Sequence, residues 1–152
     1  MLLYGTCNPR GEDDAYNGLY LTQKEIRDAV DDRSLIGVPV KTEHKGGGVG
    51  QIVSVNVGNN GDLMCLLEID ESSMIGSLAG GFVRDGLATE LSLGYTVDVK
   101  NTQNHLKAIK KQVHEVSIVR KGARNGCYIV ALEGDGRTQF KKCCWGEYFH
   151  MD

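Results

Sequence analysis

Residues 50–69, GQIVSVNVGNNGDLMCLLEI, constrain the fold of this chain more than any other stretch. The first part alternates, so Ile52, Ser54 and Asn56 fall on one face of a strand and three valines fall on the other. NNGD is a strong turn signal, and LMCLLEI has the length and composition of a strand covered on both faces. The stretch therefore predicts a β-hairpin.

Strand patterns recur along the chain, and two segments have helical patterns. The further strands are predicted in NGLYL, in LIGVPVKTEH, in ATELSLGYTVDV, and on both sides of the glycine-bounded turn in KAIKKQVHEVSIVRKGARNGCYIVAL. One helix is predicted after Thr22, because Glu25 three residues later completes a capping box. The second is predicted in ESSMIGSLAGGFVRDG, where glycines weaken it.

These elements predict a mainly β fold of the α+β class with about six or seven strands and two flanking helices. Short turns favour antiparallel pairing, and closing the sheet removes exposed edges, so we expect a small closed antiparallel β-barrel. The 152 residues fit one domain, which we place at residues 1–133. Residues 134–152 have no clear period and are predicted to be a peripheral segment or tail.

Charge and hydropathy argue against two classes of partner. The net charge of −3 gives no general attraction to nucleic acid or to an anionic membrane surface. No apolar stretch approaches the roughly 20 residues that a spanning helix needs. We therefore expect neither nucleic acid nor membrane as a partner.

The five cysteines fit a reducing compartment. Their odd number and the lack of any CxxC pair argue against a disulfide framework and against a structural zinc site. Cys65 and Cys127 stand in apolar runs and are predicted to be small buried groups.

His44 precedes three consecutive glycines, Gly46 to Gly48, in EHKGGGVG. This run is not a phosphate-binding loop, because it lacks the glycine–lysine–hydroxyl ending and a strand follows where a helix is required. The four histidines are scattered without HxH or HxxxH spacing, which is a weak basis for metal binding. His44 is therefore predicted at a strand end beside a glycine turn, either as a structural or solvated side chain or as a base that needs a partner.

Two later segments supply candidate partners. Ser92 lies mid-strand in LSLGY, ahead of Gly94, which has no side chain to crowd an approaching substrate. In HEVSIV a histidine and a carboxylate, His114 and Glu115, stand side by side. Each piece alone is also compatible with an ordinary structural role.

Taken together and in this order, EHKGGGVGQIVSV, LSLGY and EVSIVRKGARNG resemble the capsid-maturation proteases, the superfamily of herpesvirus assemblins and of tailed-phage prohead proteases. The resemblance covers residues 35–130. It implies a herpesvirus-protease-like fold with Ser92 as nucleophile and His44 as general base. A serine hydroxyl needs such a base to act as a nucleophile at neutral pH.

The resemblance leaves two candidates for the third member, His114 and Glu115. Adjacent side chains of a strand point to opposite faces, so only one of them can join the site. We favour Glu115 for two reasons. The spacing that the resemblance to assemblins implies, counted back from Gly122, falls on Glu115. A carboxylate also stabilises a protonated histidine better than an imidazole does.

The turn KGARNG carries the implied oxyanion hole. The resemblance assigns the backbone N–H of Ala123 to the oxyanion and the side chain of Arg124 to an ordered water. Assemblins have two arginines at these positions, but a backbone donor survives the change to alanine. The alternative is that KGARNG is only a basic hairpin turn.

The expected function is that of a serine endopeptidase that cleaves a scaffold protein, and itself, during capsid or prohead maturation. The resemblance implies no metal and no cofactor. It implies work inside the assembling procapsid, in the host nucleus for a herpesvirus-like protein or the bacterial cytoplasm for a phage-like one. It also implies contact with the capsid shell and a homodimer, for which SSMIGSLAGGFV is the best interface candidate.

The alternative is a non-catalytic capsid- or scaffold-binding domain that retains the protease fold. A cytosolic hydrolase of another kind is disfavoured, because GxSxG is absent.

Overall fold

A computed structural model gives the structure of residues 1–10, 20–102, 105–124, 126–133, 139–142 and 148–151, with side chains described outside residues 98–110 and 134–152. Within these ranges the elements in chain order are β1 (Leu2–Asn8), α1 (Gln23–Asp32), β2 (Pro39–Thr42), β3 (Lys45–Val57), β4 (Leu63–Ile69), α2 (Met74–Arg84), β5 (Glu90–Thr102), β6 (His105–Val119), β7 (Ile129–Leu132), β8 (Gln139–Lys142) and β9 (Tyr148–Met151). In the part of the chain described, neither helix combines the length and the apolarity that crossing a membrane requires.

Seven strands form one curled sheet in the order β5-β6-β2-β3-β4-β1-β7. The prediction of a mainly β fold with two helices is confirmed, but the predicted closed barrel is wrong, because the sheet forms an open half-barrel. The two edges, β5 and β7, meet at an isolated bridge between Glu90 and Tyr128. Glu90 is the first residue of β5 and Tyr128 precedes β7, so these two strands touch at their ends and do not pair along their lengths.

The predicted antiparallel pairing does not hold throughout the sheet. β2 and β6 run parallel, with Val40 opposite Val116 and Thr42 opposite Ile118. Short turns fix only the direction of strands that follow each other along the chain. β2 and β6 are separated by three strands and a helix, so no turn determined their relative direction.

The concave side of the sheet holds the main hydrophobic core. It includes side chains from six of the seven strands and from both helices, among them Leu3, Ile26, Val40, Ile52, Leu67, Ala79, Leu91, Val116 and Ile118. Burial of this apolar surface is the main force that holds the half-barrel together.

Local signals set the two helices. The side chain of Thr22 accepts a hydrogen bond from the Glu25 N–H, and the Glu25 carboxylate accepts one from the Thr22 N–H, so the predicted capping box is confirmed. Ser73 caps α2 by accepting from the Gly76 N–H at 3.0 Å. In the predicted strand NGLYL, residues 17–19 lie outside the described residues, and Tyr20 and Leu21 are not in a strand.

The sequence did not predict β1, although every residue of this strand is buried. β1 lies inside the sheet between β4 and β7 and is covered on both faces, which removes the alternation that marks a half-exposed strand. The predicted burial of Cys65 and Cys127 is confirmed, and Cys7 of β1 is buried too. In the segment predicted to be a peripheral element or tail, β8 and β9 pair in a two-stranded sheet of their own.

Candidate functional site

A two-residue turn between β2 and β3 carries His44. Thr42 pairs with Lys45, so Glu43 and His44 are the central residues of the hairpin. Both have positive φ, 49° for Glu43 and 59° for His44, which is the backbone form that a tight hairpin requires. The predicted glycine turn beside His44 is wrong, because Gly46–Gly48 lie within β3. Two residues with side chains thus occupy a conformation usually left to glycine or asparagine.

Strand β6 and the residue after it, Arg120, hold this turn through three hydrogen bonds. The Glu43 N–H donates to the Ile118 carbonyl at 3.1 Å, which extends the parallel pairing of β2 with β6. The His44 N–H donates to Ser117 Oγ at 2.9 Å. The Arg120 N–H donates to Glu43 Oε1 at 2.9 Å. These contacts explain how a turn with unfavourable backbone angles stays in one conformation.

The side chains of Ser92, His44 and Glu115 form a continuous chain of hydrogen bonds. His44 Nε2 lies 3.0 Å from Ser92 Oγ, and His44 Nδ1 lies 2.5 Å from Glu115 Oε1. When Nδ1 carries the proton and donates it to the carboxylate, Nε2 is free to accept the proton of the Ser92 hydroxyl. This is the geometry of an activated serine with an oriented base.

The three side chains differ in their exposure to solvent. Ser92 is buried, and the Glu115 side chain retains 11% exposure, whereas 44% of the His44 side chain is exposed. The carboxylate is thus shielded from water and held by fixed donors, while the imidazole borders solvent.

Strands β5 and β6 bring the serine and the carboxylate to one face of the sheet. In their antiparallel register Ser92 is opposite Ser117, and Gly94 is opposite Glu115. A Cβ atom at Gly94 would overlap the carboxyl group of Glu115. Gly94 therefore makes room for the carboxylate, which is a different role from the open substrate path that the sequence suggested.

His114 is excluded from this cluster by a β-bulge. The register shifts between Gly94 and Tyr95, which pair with Glu115 and Val113, so His114 is the extra residue. Its side chain is exposed, and its Nε2 lies 2.7 Å from Thr96 Oγ1. Of the two neighbours that the sequence offered, Glu115 is the one in contact with His44.

Ala123 and Arg124 lie in the loop between β6 and β7, and this loop passes close to β5. A Cβ atom at Gly122 would lie 2.8 Å from the carbonyl oxygen of Leu91, the residue before Ser92. The Ala123 side chain is exposed, and Arg124 is buried. The loop is therefore near the strand that carries Ser92, which the predicted oxyanion hole requires.

The Arg124 side chain is directed to Tyr95. Its guanidinium lies 2.5 Å from the Tyr95 hydroxyl and 5.3 Å from the ring centroid. Burial raises the pKa of Tyr95 above its usual value, although the charge of Arg124 acts in the opposite direction. Side chains alternate along β5, so Tyr95 lies on the opposite face from Ser92. The structure thus does not bring the Arg124 guanidinium to the His44–Ser92 pair.

One cavity among the described residues lies close to the site. It has a volume of about 370 Å³, lies beside the turn that carries His44, and is lined by α2, by the segment after it and by the ends of β2 and β6. Its walls include Phe82, Leu87, Ala88 and Ile118, with Glu43 and Arg120 beside them. A larger cavity of about 840 Å³ lies elsewhere, around Met1 and Glu133, and contains none of the predicted site residues.

Among the residues whose placement the structure gives, no group of three or more histidine, cysteine, aspartate or glutamate side chains is arranged to hold a metal ion. No protein-family model matches this chain, and no curated protein matches it.

Sequence reasoning missed Ser117, which is in contact with two parts of the cluster. Ser117 Oγ donates to Glu115 Oε2 at 2.8 Å in addition to accepting from His44 N–H. The available signal was the i, i+2 spacing of Glu115 and Ser117 in EVSIV, which puts both side chains on one face of a strand.

Proposed function

We propose that this protein is a serine hydrolase in which Ser92 is the nucleophile, His44 the general base and Glu115 the group that orients His44. The observation that carries the proposal is the unbroken pair of hydrogen bonds from Ser92 Oγ through the imidazole to Glu115. Each partner occupies the position that acyl transfer requires of it.

The proposed reaction proceeds in two stages. His44 Nε2 takes the proton of Ser92 Oγ while Oγ bonds to the substrate carbonyl carbon, and the protonated His44 then gives that proton to the leaving amine as the scissile bond breaks. In the second stage water loses a proton to His44 and attacks the acyl-serine, and the proton returns to Ser92 Oγ as the acid product leaves. Glu115 stabilises the positive charge on His44 in both stages.

The substrate class rests on the resemblance to capsid-maturation proteases. We propose a serine endopeptidase that cleaves a scaffold protein, and itself, inside an assembling viral capsid or prohead. The Ala123 N–H is the proposed donor to the oxyanion, and the close passage of its loop beside Leu91 supports this assignment. A single donor of this kind contributes about 10²–10³ in rate.

A homodimer is part of this proposal, and its surface is the outer side of α2. Four apolar side chains of this helix are exposed, Met74, Ile75, Leu78 and Phe82. Apolar groups that cluster on a surface mark sites of association more often than scattered ones do.

The same surface favours a second candidate function, a non-catalytic domain that binds scaffold or capsid protein. The exposed side of α2 leads into the apolar cavity beside Glu43, which would extend such a binding surface. In this case Ser92 and His44 would be folded together but chemically inert.

Cleavage during co-expression tests the leading proposal. The chain is produced together with the proteins encoded next to it, and cleavage products are mapped by mass spectrometry. We expect self-cleavage and scaffold cleavage by the wild type and by Ser54→Ala, a control serine on β3, and none by Ser92→Ala. Cleavage that persists in Ser92→Ala refutes the assignment of the nucleophile.

A further inference from the structure

Ser117 lies at the centre of the contacts that assemble the site, and the two hydrogen bonds of its hydroxyl go to His44 and Glu115. The residue is fully buried, at 0% exposure. Its hydroxyl oxygen accepts the N–H of His44 at 2.9 Å, and its proton is donated to Glu115 Oε2 at 2.8 Å. A serine hydroxyl can act as donor and acceptor at once, and this one does both.

These contacts close a ring of hydrogen bonds around His44. One end of the residue, its backbone N–H, is bound to Ser117, and the other end, Nδ1, is bound to Glu115 Oε1. The two oxygens of the Glu115 carboxylate are thereby divided between two partners, which fixes the plane of the carboxyl group. His44 is held at both ends, in a turn whose backbone has a φ of 59°.

We propose that Ser117 is a positioning residue that aims the His44 imidazole at Ser92 by fixing the Glu115 carboxylate and the backbone of His44 together. Its consequence for catalysis rests on the proposed function, whereas its effect on the geometry of His44 does not. Accepting the His44 N–H requires only the oxygen of the Ser117 hydroxyl, but its proton is also donated to the carboxylate that contacts the imidazole.

Removing the hydroxyl leaves two polar groups without their partner, one of them on the buried Glu115. In Ser117→Ala the His44 N–H loses its acceptor and Glu115 Oε2 loses its donor, so the turn and the carboxylate can both shift. Displacement of a catalytic group by about 1 Å can cost about 10² in rate. Ser117 does not line the exposed side of the imidazole, so binding of a reagent should not change.

The first measurement reads His44 directly by ¹⁵N–¹H NMR, without any need for catalysis. The signals of His44 are assigned among the four histidines with a His44→Gln variant. We expect Ser117→Ala to shift or broaden the His44 Nδ1–H resonance, and we expect Ser54→Ala to leave it unchanged. A His44 Nδ1–H signal that remains unchanged in a folded Ser117→Ala protein overturns the proposal.

The second measurement follows inactivation by a fluorophosphonate. We expect Ser117→Ala to lower the maximal rate of Ser92 modification about 10²-fold without changing the concentration for half-maximal rate. Ser117→Thr keeps the hydroxyl and should restore most of the rate. In a Glu115→Gln background the loss caused by Ser117→Ala should be smaller, because the contact of Ser117 with the carboxylate is already changed and the contact with the His44 N–H is the one that remains to be lost. An equal loss in both backgrounds, or a threonine variant no faster than alanine, overturns the proposal.

The two measurements separate the two claims. A wild-type protein that is never modified at Ser92 refutes the proposed function, and the NMR comparison then decides the positioning role alone. A wild-type protein that is modified, with His44 signals and rate both unaffected by Ser117→Ala, refutes the positioning role and leaves the proposed function standing.

Discussion

Where residues 91–94 of β5 pair with residues 115–118 of β6, the two faces of the sheet are built from opposite kinds of residue. The concave face carries Leu91, Leu93, Val116 and Ile118, and the convex face carries Ser92, Gly94, Glu115 and Ser117. The apolar side chains gain from contact with almost any apolar neighbour. The polar ones must find particular partners, and they find them in the turn between β2 and β3.

This difference indicates that the convex face contributes less to stability than the concave face does. Taking a carboxylate such as Glu115 out of water costs free energy unless it is fully hydrogen-bonded, and replacing a buried polar cluster with apolar residues is often neutral or stabilising. We therefore interpret the concave face as the one that stabilises the fold and the convex face as the one that carries the proposed reaction. Substitutions on the concave face should lower the free energy of unfolding, and substitutions on the convex face should lower the rate of reaction.

The largest expected effect belongs to Ser92→Ala on the convex face. Loss of a serine nucleophile costs about 10⁶ in rate. His44 Nε2 loses its partner in this variant, but 44% of the His44 side chain is exposed, so water can replace the hydroxyl. We expect modification by a fluorophosphonate to vanish while the free energy of unfolding in urea stays within about 0.5 kcal/mol of the wild type or rises. A marked loss of stability in this variant would show that the convex face also carries the fold.

Leu91→Ala changes the neighbouring residue on the concave face and should act in the opposite sense. Leu91 is completely buried, and removing such a side chain typically costs about 2–5 kcal/mol of stability. Urea denaturation gives that loss, and the rate of the fraction still folded should remain close to that of the wild type. If stability is unchanged and the rate collapses instead, the division between the two faces is wrong.

Gly94→Ala is expected to damage the site through a steric clash. The new Cβ atom would overlap the Glu115 carboxyl, which must then leave His44 or Ser117. We expect about a 10²-fold loss in rate, which is a barrier of about 2.7 kcal/mol. Gly47→Ala is the matched control, because nothing lies within 4 Å of its new Cβ, and it should react like the wild type.

The smallest effect concerns Glu25, whose contact with β6 through Lys111 is partly open to solvent. Burial alone would raise the Glu25 pKa, but hydrogen bonds from Lys111 and Thr22 outweigh it, so the pKa lies below its ordinary value of 4.5. The folded pKa is depressed, so this contribution to stability is fully present above pH 4.5 and is lost as pH falls through the folded pKa.

With 36% of the Glu25 side chain exposed, we expect the difference in unfolding free energy between wild type and Glu25→Gln to be about 0.2–1 kcal/mol at neutral pH. Urea denaturation at neutral pH and again well below pH 4.5 measures this difference, which should shrink in acid. A difference that grew as the pH fell would contradict the assigned sign.

Local features of the fold could be predicted from the sequence, and non-local ones could not. The capping box of Thr22 and Glu25 and the strand LMCLLEI each depend on a few consecutive residues. The parallel pairing of β2 with β6 and the unclosed edge between β5 and β7 depend on residues far apart in the chain. No turn signal or period in the sequence encodes them.

The candidate site shows the same limit at the level of atoms. The motifs named His44, Ser92 and Glu115, and the structure brings their side chains into contact, while their catalytic roles remain a prediction. The motifs could not reveal that the β2–β3 turn consists of Glu43 and His44, because that turn is stabilised by β6 and not by its own residue types. Ser117 had a local signal in its i, i+2 spacing from Glu115, but its contact with the His44 N–H joins residues far apart in the chain.

Covalent labelling of the wild-type protein by a fluorophosphonate, with the site of modification found by mass spectrometry, tests the central claim most directly. If Ser92 is a nucleophile activated by His44, a single adduct appears on Ser92 and is absent from the folded His44→Ala variant. A folded wild-type protein that stays unmodified, or a Ser92 adduct that forms equally fast in His44→Ala, would contradict it.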